Sequence, residues 1–405
     1  MLLTLAWRNI WRNKNRSLIT LSSIAVAVFL SVLMRSMQLG MYDKMIDNVI
    51  GAYVGYVQIH AKGFWEERSL DNGFVSSSAD QRPLSEVEGV LNIFPRLEAF
   101  GLISKGELSN VVSINGIDLD KEEPILNLTD KLLSGSLFEA KNEVIVGTKV
   151  ASYFNVKVND TLIFIGQGYQ GMMAAEKLAV SGIVDFKNPN LNKAMVLTSL
   201  PSAQQIFSAP DLVTSLVVNT DKPNALAALQ KRLSVQLSDK EYEILTWPEM
   251  FPELEQTILA DSIGGIIMVM ILYMILIFGI FGTVLMMTQE RKYELGVLVA
   301  IGMKKGKLML MVVLETLILS LLGVLVGVLL VYPILLWKHY DPFQLPGDTV
   351  KMMEEYGFSP EIPFYIHLDL PLIHAGILFC IALIVALYPI YIIRTLAPIK
   401  AMHNR

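Results

Sequence analysis

Apolar residues in this chain are gathered into long runs in some regions and spaced singly in others. Four runs, 18–40, 263–288, 308–337 and 371–393, carry almost no charge. Each reaches the roughly 20 residues that a helix needs to cross a bilayer core. The 222 or so positions between the first and second runs, 41–262, have a different texture. Short alternating stretches there predict strands at 53–60, 110–117, 143–147, 161–165, 178–184, 194–198 and 213–219. Helical spacing predicts helices at 200–208, opened by Pro201, and at 223–236. The polar stretch 64–83 is expected to be a loop. Residues 36–50 and 247–262 continue helically from the neighbouring runs and are expected to form stalks. The fold class that follows is an α-helical membrane protein. It has one transmembrane helix before, and three after, a large extracytoplasmic α+β domain.

Charge orients this plan, because Lys and Arg are retained on the cytoplasmic side. Residues 1–17 hold Arg8, Arg12, Lys14 and Arg16 and no acid, and 289–307 holds five basic residues against Glu290 and Glu294. The tail, 394–405, adds Arg394, Lys400 and Arg405. By contrast, 41–262 has 18 basic and 29 acidic residues, and 338–370 has two basic and six acidic. The termini and the 289–307 segment are thus expected inside, with 41–262 and the 338–370 loop outside. The first run exceeds the usual signal-peptide core and has no small-residue cleavage site after it, so it is expected to remain as an anchor. Residues 1–17 predict an amphipathic helix lying on the inner leaflet, with Leu3, Trp7, Ile10 and Trp11 on one side and Arg8, Arg12 and Arg16 on the other. The single cysteine, Cys380, falls in the last run, so no disulfide is expected.

Three motifs imitate nucleotide sites. Gly166-Gln167-Gly168-Tyr169-Gln170-Gly171 has the dinucleotide spacing, but a strand returns where the fingerprint needs a helix, so a hairpin loop is expected. The run Gly302 to Leu308 lacks a spacer and the Ser or Thr of a phosphate loop. Leu133-Ser134-Gly135-Ser136 resembles a cassette signature but lies on the outer side. The histidines, His60, His339, His367, His374 and His403, are dispersed, with no pair at metal-ligand spacing. Neither catalysis nor nucleic-acid binding is expected, and no cofactor is assigned to the chain.

Inside the apolar runs, Arg35, Glu315 and His374 are the ionisable residues that bilayer energetics singles out. Arg35 and His374 are expected to snorkel at the outer boundary, and Glu315 to make a polar contact between helices. Gly323 and Gly327 form a G-x-x-x-G, which permits close helix approach and dimerisation. Between the second and third runs, Glu290, Arg291, Lys292 and Glu294 precede an apolar face containing Leu295, Leu298 and Ala300. Gly296 lies within that face, Gly302 suits a helix stop, and Lys304 and Lys305 follow. Physics alone allows this short helix either to dock in a partner's groove or to rest on the leaflet.

Arg291-Lys292-Tyr293-Glu294-Leu295-Gly296-Val297-Leu298-Val299-Ala300-Ile301-Gly302 resembles the R-x-x-E-I-G-x-L-x-A-x-G element of the FtsX-like permeases, the MacB and lipoprotein-releasing LolC/LolE type of ABC transporter. Trp7-Arg8-Asn9-Ile10-Trp11-Arg12-Asn13 with Arg16 is similar to that family's N-terminal element. Gly135, Phe138, Glu143 to Gly147 and Val158 to Thr161 resemble its outer-domain thread, with Asn159 in place of the usual Gly. Pro389, Arg394 and Pro398-Ile399-Lys400-Ala401-Met402 resemble its closing element, and 53–64 leans toward LolC/LolE. The resemblance implies a non-catalytic permease of the mechanotransmission (type VII) class in a bacterial inner membrane. It makes 290–305 the coupling helix, and it implies a separate ATP-binding subunit holding ATP and Mg. It also implies a dimer with a second permease copy or paralogue, and lipoprotein cargo passed to a periplasmic carrier. Drug or peptide efflux, and FtsX-like signalling to a cell-wall hydrolase, are the alternatives it leaves.

Overall fold

Leu, Ile, Val and Met in unbroken succession leave a segment in lipid one way to satisfy its backbone, as a helix. In the computed structural model, which describes residues 2–12, 14–76, 78–237, 241–344, 346–347, 350 and 361–395, four helices are long and apolar enough to cross a membrane. They are α2 (Lys14–Ile46), α5 (Pro252–Glu290), α7 (Lys305–Tyr340) and α8 (Asp369–Thr395). Two shorter helices accompany them, α1 (Leu2–Arg12) and α6 (Lys292–Ala300). His403 and the run Pro398 to Met402 lie outside the described residues.

The chain divides into two units. The helical unit is packed about Val28 and Val32 of α2, Tyr273 and Ile280 of α5, Val331 of α7, and Leu378 and Ile381 of α8. A second apolar cluster joins Leu295 of α6 to Leu308 and Met311 of α7 and Ile393 of α8, with Leu2 and Leu5 of α1 against it. Large side chains on the opposite faces, such as Ile275, Phe278 and Leu387, are exposed as a lipid-facing surface requires.

The second unit, built from Asp43–Thr257 and Leu345–Pro360, carries the α+β domain. Its main strands are β1 (Val57–Ala61), β2 (Asn92–Lys105), β3 (Leu108–Ile117), β4 (Leu132–Gly135) and β5 (Glu143–Gly147). Then follow β6 (Thr161–Gln167), β7 (Met173–Val184), β8 (Met195–Ser199), β9 (Ser215–Asn219) and β10 (Tyr242–Thr246). The pairing runs β10-β1-β9-β2-β3-β8-β5-β7-β4, and β6 bridges β2 and β7. β2, β3, β8, β5, β7 and β6 therefore close into a ring. Alternate residues, including Leu97, Ile114, Val146, Phe164, Leu178 and Val196, fill its interior. The first half of β2 belongs to the other strand set, pairing Ile93↔Val218 with β9. Helix α4 (Leu226–Gln236) covers that set through Leu226, Leu229 and Leu233.

Two sequence expectations change here, and two features appear that the sequence did not predict. Residues 53 and 54 belong to a π-helical segment, Asp47–Val54, and the strand begins at Val57 after Gly55 turns at φ +83°. β2 was not foreseen, because Pro95 and Gly101 interrupt a run that tertiary pairing nonetheless keeps extended. The stretch 64–83 is not a plain loop: it holds a helical turn at Phe64–Glu67, a short strand at Phe74–Val75 and part of the helix Ser78–Ser85. Arg96 of β2 and Glu122 of α3 (Leu119–Leu126) form a buried ion pair that no sequence feature announced. Arg96 Nε and Nη2 donate to Glu122 Oε2 at 2.9 and 2.5 Å, and Nη1 donates to the Tyr53 carbonyl at 2.5 Å. The hairpin reading of Gly166 to Gly171 agrees with the structure, since β7 starts two residues later.

Candidate functional site

The segment between α5 and α7 is shaped by its own sequence. α5 ends at Glu290, and Arg291 takes φ −89° and ψ 3°, breaking the helix before α6. α6 stops where Gly302 adopts φ +105°, a conformation favouring glycine. Gly302 N donates to Val299 O at 3.1 Å and Met303 N to Leu298 O at 3.0 Å, the paired bonds of a Schellman ending. Lys304, extended at ψ 133°, then begins α7.

The predicted docking residues separate into two sets. Lys292, Ala300, Gly302 and Lys304 are exposed, as are Tyr293 and Ile301; Leu298 is half-buried. Ile301 is 80% exposed, a large aliphatic side chain left bare. Leu295 and Gly296 are buried against the bundle, and so is Arg291. That corrects the expectation for Arg291, which faces inward: its Nη1 donates to Glu315 Oε1 at 2.9 Å and Oε2 at 2.8 Å. Glu315, buried on α7, thus makes its interhelical contact with the α5–α6 junction. Lys305 Nζ donates to the Arg394 carbonyl at 3.1 Å, tying α7 to α8.

The remaining acids of this segment are held by the N-terminal helices. Glu294 pairs with Arg12 of α1, and Glu290 pairs with Arg16 of α2. α1 is amphipathic, but its stripe divides. Ala6 and Ile10 are buried, whereas Leu3, Trp7 and Trp11 are exposed. Positions 3, 7 and 11 lie on one i, i+4 line and 6 and 10 on another, so a single expected face serves two environments. Sequence reasoning missed the Arg12 and Arg16 pairings; only the unbalanced basic run pointed at them.

Other named residues sit elsewhere in the helical unit. Arg35 donates to Gln38 Oε1 at 2.5 Å and Ser262 Oγ at 3.1 Å. Gln38 and Tyr42 both donate to Asp261 Oδ2, at 2.9 and 2.6 Å, so α2 and α5 share a polar clasp. His374 does not snorkel: it is buried, with Nδ1 hydrogen-bonded to the Tyr273 hydroxyl. Tyr273 supplies within the bundle the partner that an exposed imidazole would have sought in water. Gly323 and Gly327 are spent inside the chain and are not a dimer face. A Cβ on Gly323 would lie 2.7 Å from Ile24 Cβ, and one on Gly327 2.7 Å from the Ala25 carbonyl oxygen.

Comparison with known proteins identifies the family. The MacB-like periplasmic core domain family matches residues 17–235, and the FtsX-like permease C-terminal family matches residues 266–398. The chain belongs to the FtsX-like, MacB-type permeases. The macrolide export ATP-binding/permease protein MacB of Escherichia coli is 23% identical over 268 residues, covering 63% of this chain and 40% of that protein. MacB 2 of Escherichia coli O1:K1 matches equally. The chain thus spans about two-fifths of the length of these relatives. Among solved structures, the periplasmic region of MacB from Actinobacillus actinomycetemcomitans is 16% identical with a TM-score of 0.36, covering 53% of this chain and 95% of that one. The extracellular domain of YknZ from Gram-positive bacteria is 14% identical with a TM-score of 0.34, covering 47% and 99%. As a MacB-type permease the chain is a membrane protein with an extracytoplasmic-type domain, and 289–307 falls within its FtsX-like part.

Proposed function

We propose that the chain is the permease subunit of an ABC transporter of the mechanotransmission class, transferring lipoproteins or similar amphiphiles from the outer leaflet of a bacterial inner membrane. The observation that carries this reading is α6. It is a nine-residue helix between two spans, with Lys292, Tyr293 and Ile301 exposed while Leu295 anchors it. An exposed aliphatic and aromatic pair beside fixed positive charge suits the groove of a soluble partner better than open water. That partner is an ATP-binding subunit, which holds ATP and Mg and hydrolyses the ATP; this chain is not an enzyme. Both termini and α6 lie in the cytoplasm, and the α+β domain lies outside. A second permease, a copy or a paralogue, completes a dimer, and a periplasmic carrier receives the cargo.

A second reading, efflux, is favoured by the E. coli relative, whose name assigns it macrolide export. The test is gentle purification of the full-length protein from native membranes, with mass spectrometry of what stays bound. An ATP-binding subunit with acylated lipoproteins is expected. The same subunit with an outer-membrane channel would move the assignment to efflux, and with a wall hydrolase to signalling. No ATP-binding subunit at all would overturn the proposal.

A further inference from the structure

Among the described residues of 289–307, Arg291 is the one basic side chain that is buried. α6 is bounded by two backbone breaks, at Arg291 itself and at the left-handed stop of Gly302. Apolar packing at Leu295 and Gly296 resists separation, but it is non-directional. The ion pair adds a charge-assisted, directional contact to that packing, with Arg291 Nη1 donating to both oxygens of the Glu315 carboxylate. A cavity of about 30 Å³ beside the pair, walled in part by Thr20, Thr288 and Thr316, has room for water. Arg291 Nε has no hydrogen-bond partner there, and Glu294 Oε2 lies 3.7 Å from it.

We infer that Arg291 and Glu315 are positioning residues, a clamp that locks the start of α6 to α7 so that force applied to α6 is delivered to α7. Separating the pair would leave two uncompensated charges in a low-dielectric site, so the joint is stiff. The exposed pair Arg12–Glu294, between α1 and α6, is screened by water and salt, so it adds little stiffness of its own. The purpose of the clamp rests on the docking reading above; its geometry does not.

The clamp is tested on the full-length chain with Cys380 replaced by serine. A spin label is placed at Ala300→Cys on α6, and separately at Leu368→Cys, an exposed position just before α8. Glu315→Gln and Arg291→Gln are each expected to shift the label at 300 from a broad to a narrow line shape. The exchange Arg291→Glu with Glu315→Arg is expected to restore the broad shape, the label at 368 should not change, and added salt should leave the unmutated chain unaffected. An unchanged spectrum at 300 in both single variants would overturn the inference. So would narrowing at 368 as well, which would mean that the whole helical unit loosens and not α6 in particular, and so would an exchange variant as mobile as the single ones. Recovery of an ATP-binding subunit with the unmutated chain is scored separately: its absence removes the docking reading and leaves the clamp standing.

Discussion

His60 is only 1% exposed, its ring stacked on Phe64 and its Nδ1 2.9 Å from the Thr214 carbonyl. Burial lowers its pKa from 6.5 to about 4, helped by the Arg68 charge and opposed by Thr214 and Glu243. The unfolded imidazole titrates near its ordinary value. Between about pH 6.5 and pH 4 the unfolded chain therefore carries a proton that the folded one lacks, and stability falls as the pH drops through that window. The full effect is about 3 kcal/mol. Replacing His60 with Asn, which can still donate to Thr214, is expected to flatten this slope. Denaturation followed by the fluorescence of Trp65, whose ring centroid lies 5.5 Å from that of His60, gives the comparison. Equal slopes in the two proteins would refute the assignment. In the helical unit, magnitudes separate the ion pairs in the same way. Removing one partner of the buried Arg291–Glu315 pair should cost about 3–5 kcal/mol, whereas an exposed pair such as Arg12–Glu294 is worth at most about 1 kcal/mol.

At the scale of elements, close approach of α7 to α2 depends on two missing side chains. Gly327→Leu would force its side chain into Val28 and the Ala25 carbonyl, and overpacking of this kind costs about 1–3 kcal/mol. Gly282→Leu, on a face of α5 with nothing within 4 Å, should be nearly neutral. Melting of the two variants in detergent checks the contrast, and equal losses would show that the α2–α7 contact is not the tight one. The clasp of Arg35, Gln38, Tyr42 and Asp261 ties α2 to α5 by a different means, through directional bonds.

For the whole molecule, the charge asymmetry makes a topological prediction. Because Cys380 is the only cysteine, a serine there gives a clean background for single-cysteine labelling. A cysteine at Lys292, exposed on α6, is expected to react with an impermeant thiol reagent only from the cytoplasmic side of sealed vesicles. One at Leu133, exposed on β4, should react only from the opposite side. Labelling of both from one side would reverse or break the proposed arrangement of spans.

Long apolar runs, the helix stop at Gly302 and the hairpin at Gly166 to Gly171 were legible in the sequence because each rests on local physics. A residue's own hydrophobicity or backbone freedom decides them. β2 was not legible, since its extended form through Pro95 and Gly101 is imposed by β9, β3 and β6 alongside. Nor were the partners of charged residues. A count of Arg and Glu in 1–17 and 289–307 orients the chain, but only packing turned Arg291 inward to Glu315 and gave Glu294 to Arg12 and Glu290 to Arg16. The G-x-x-x-G of α7 shows the same division. Spacing determined that a helix would come close, and the tertiary structure decided that the helix is α2, because burying a face within one chain leaves nothing on it for a second.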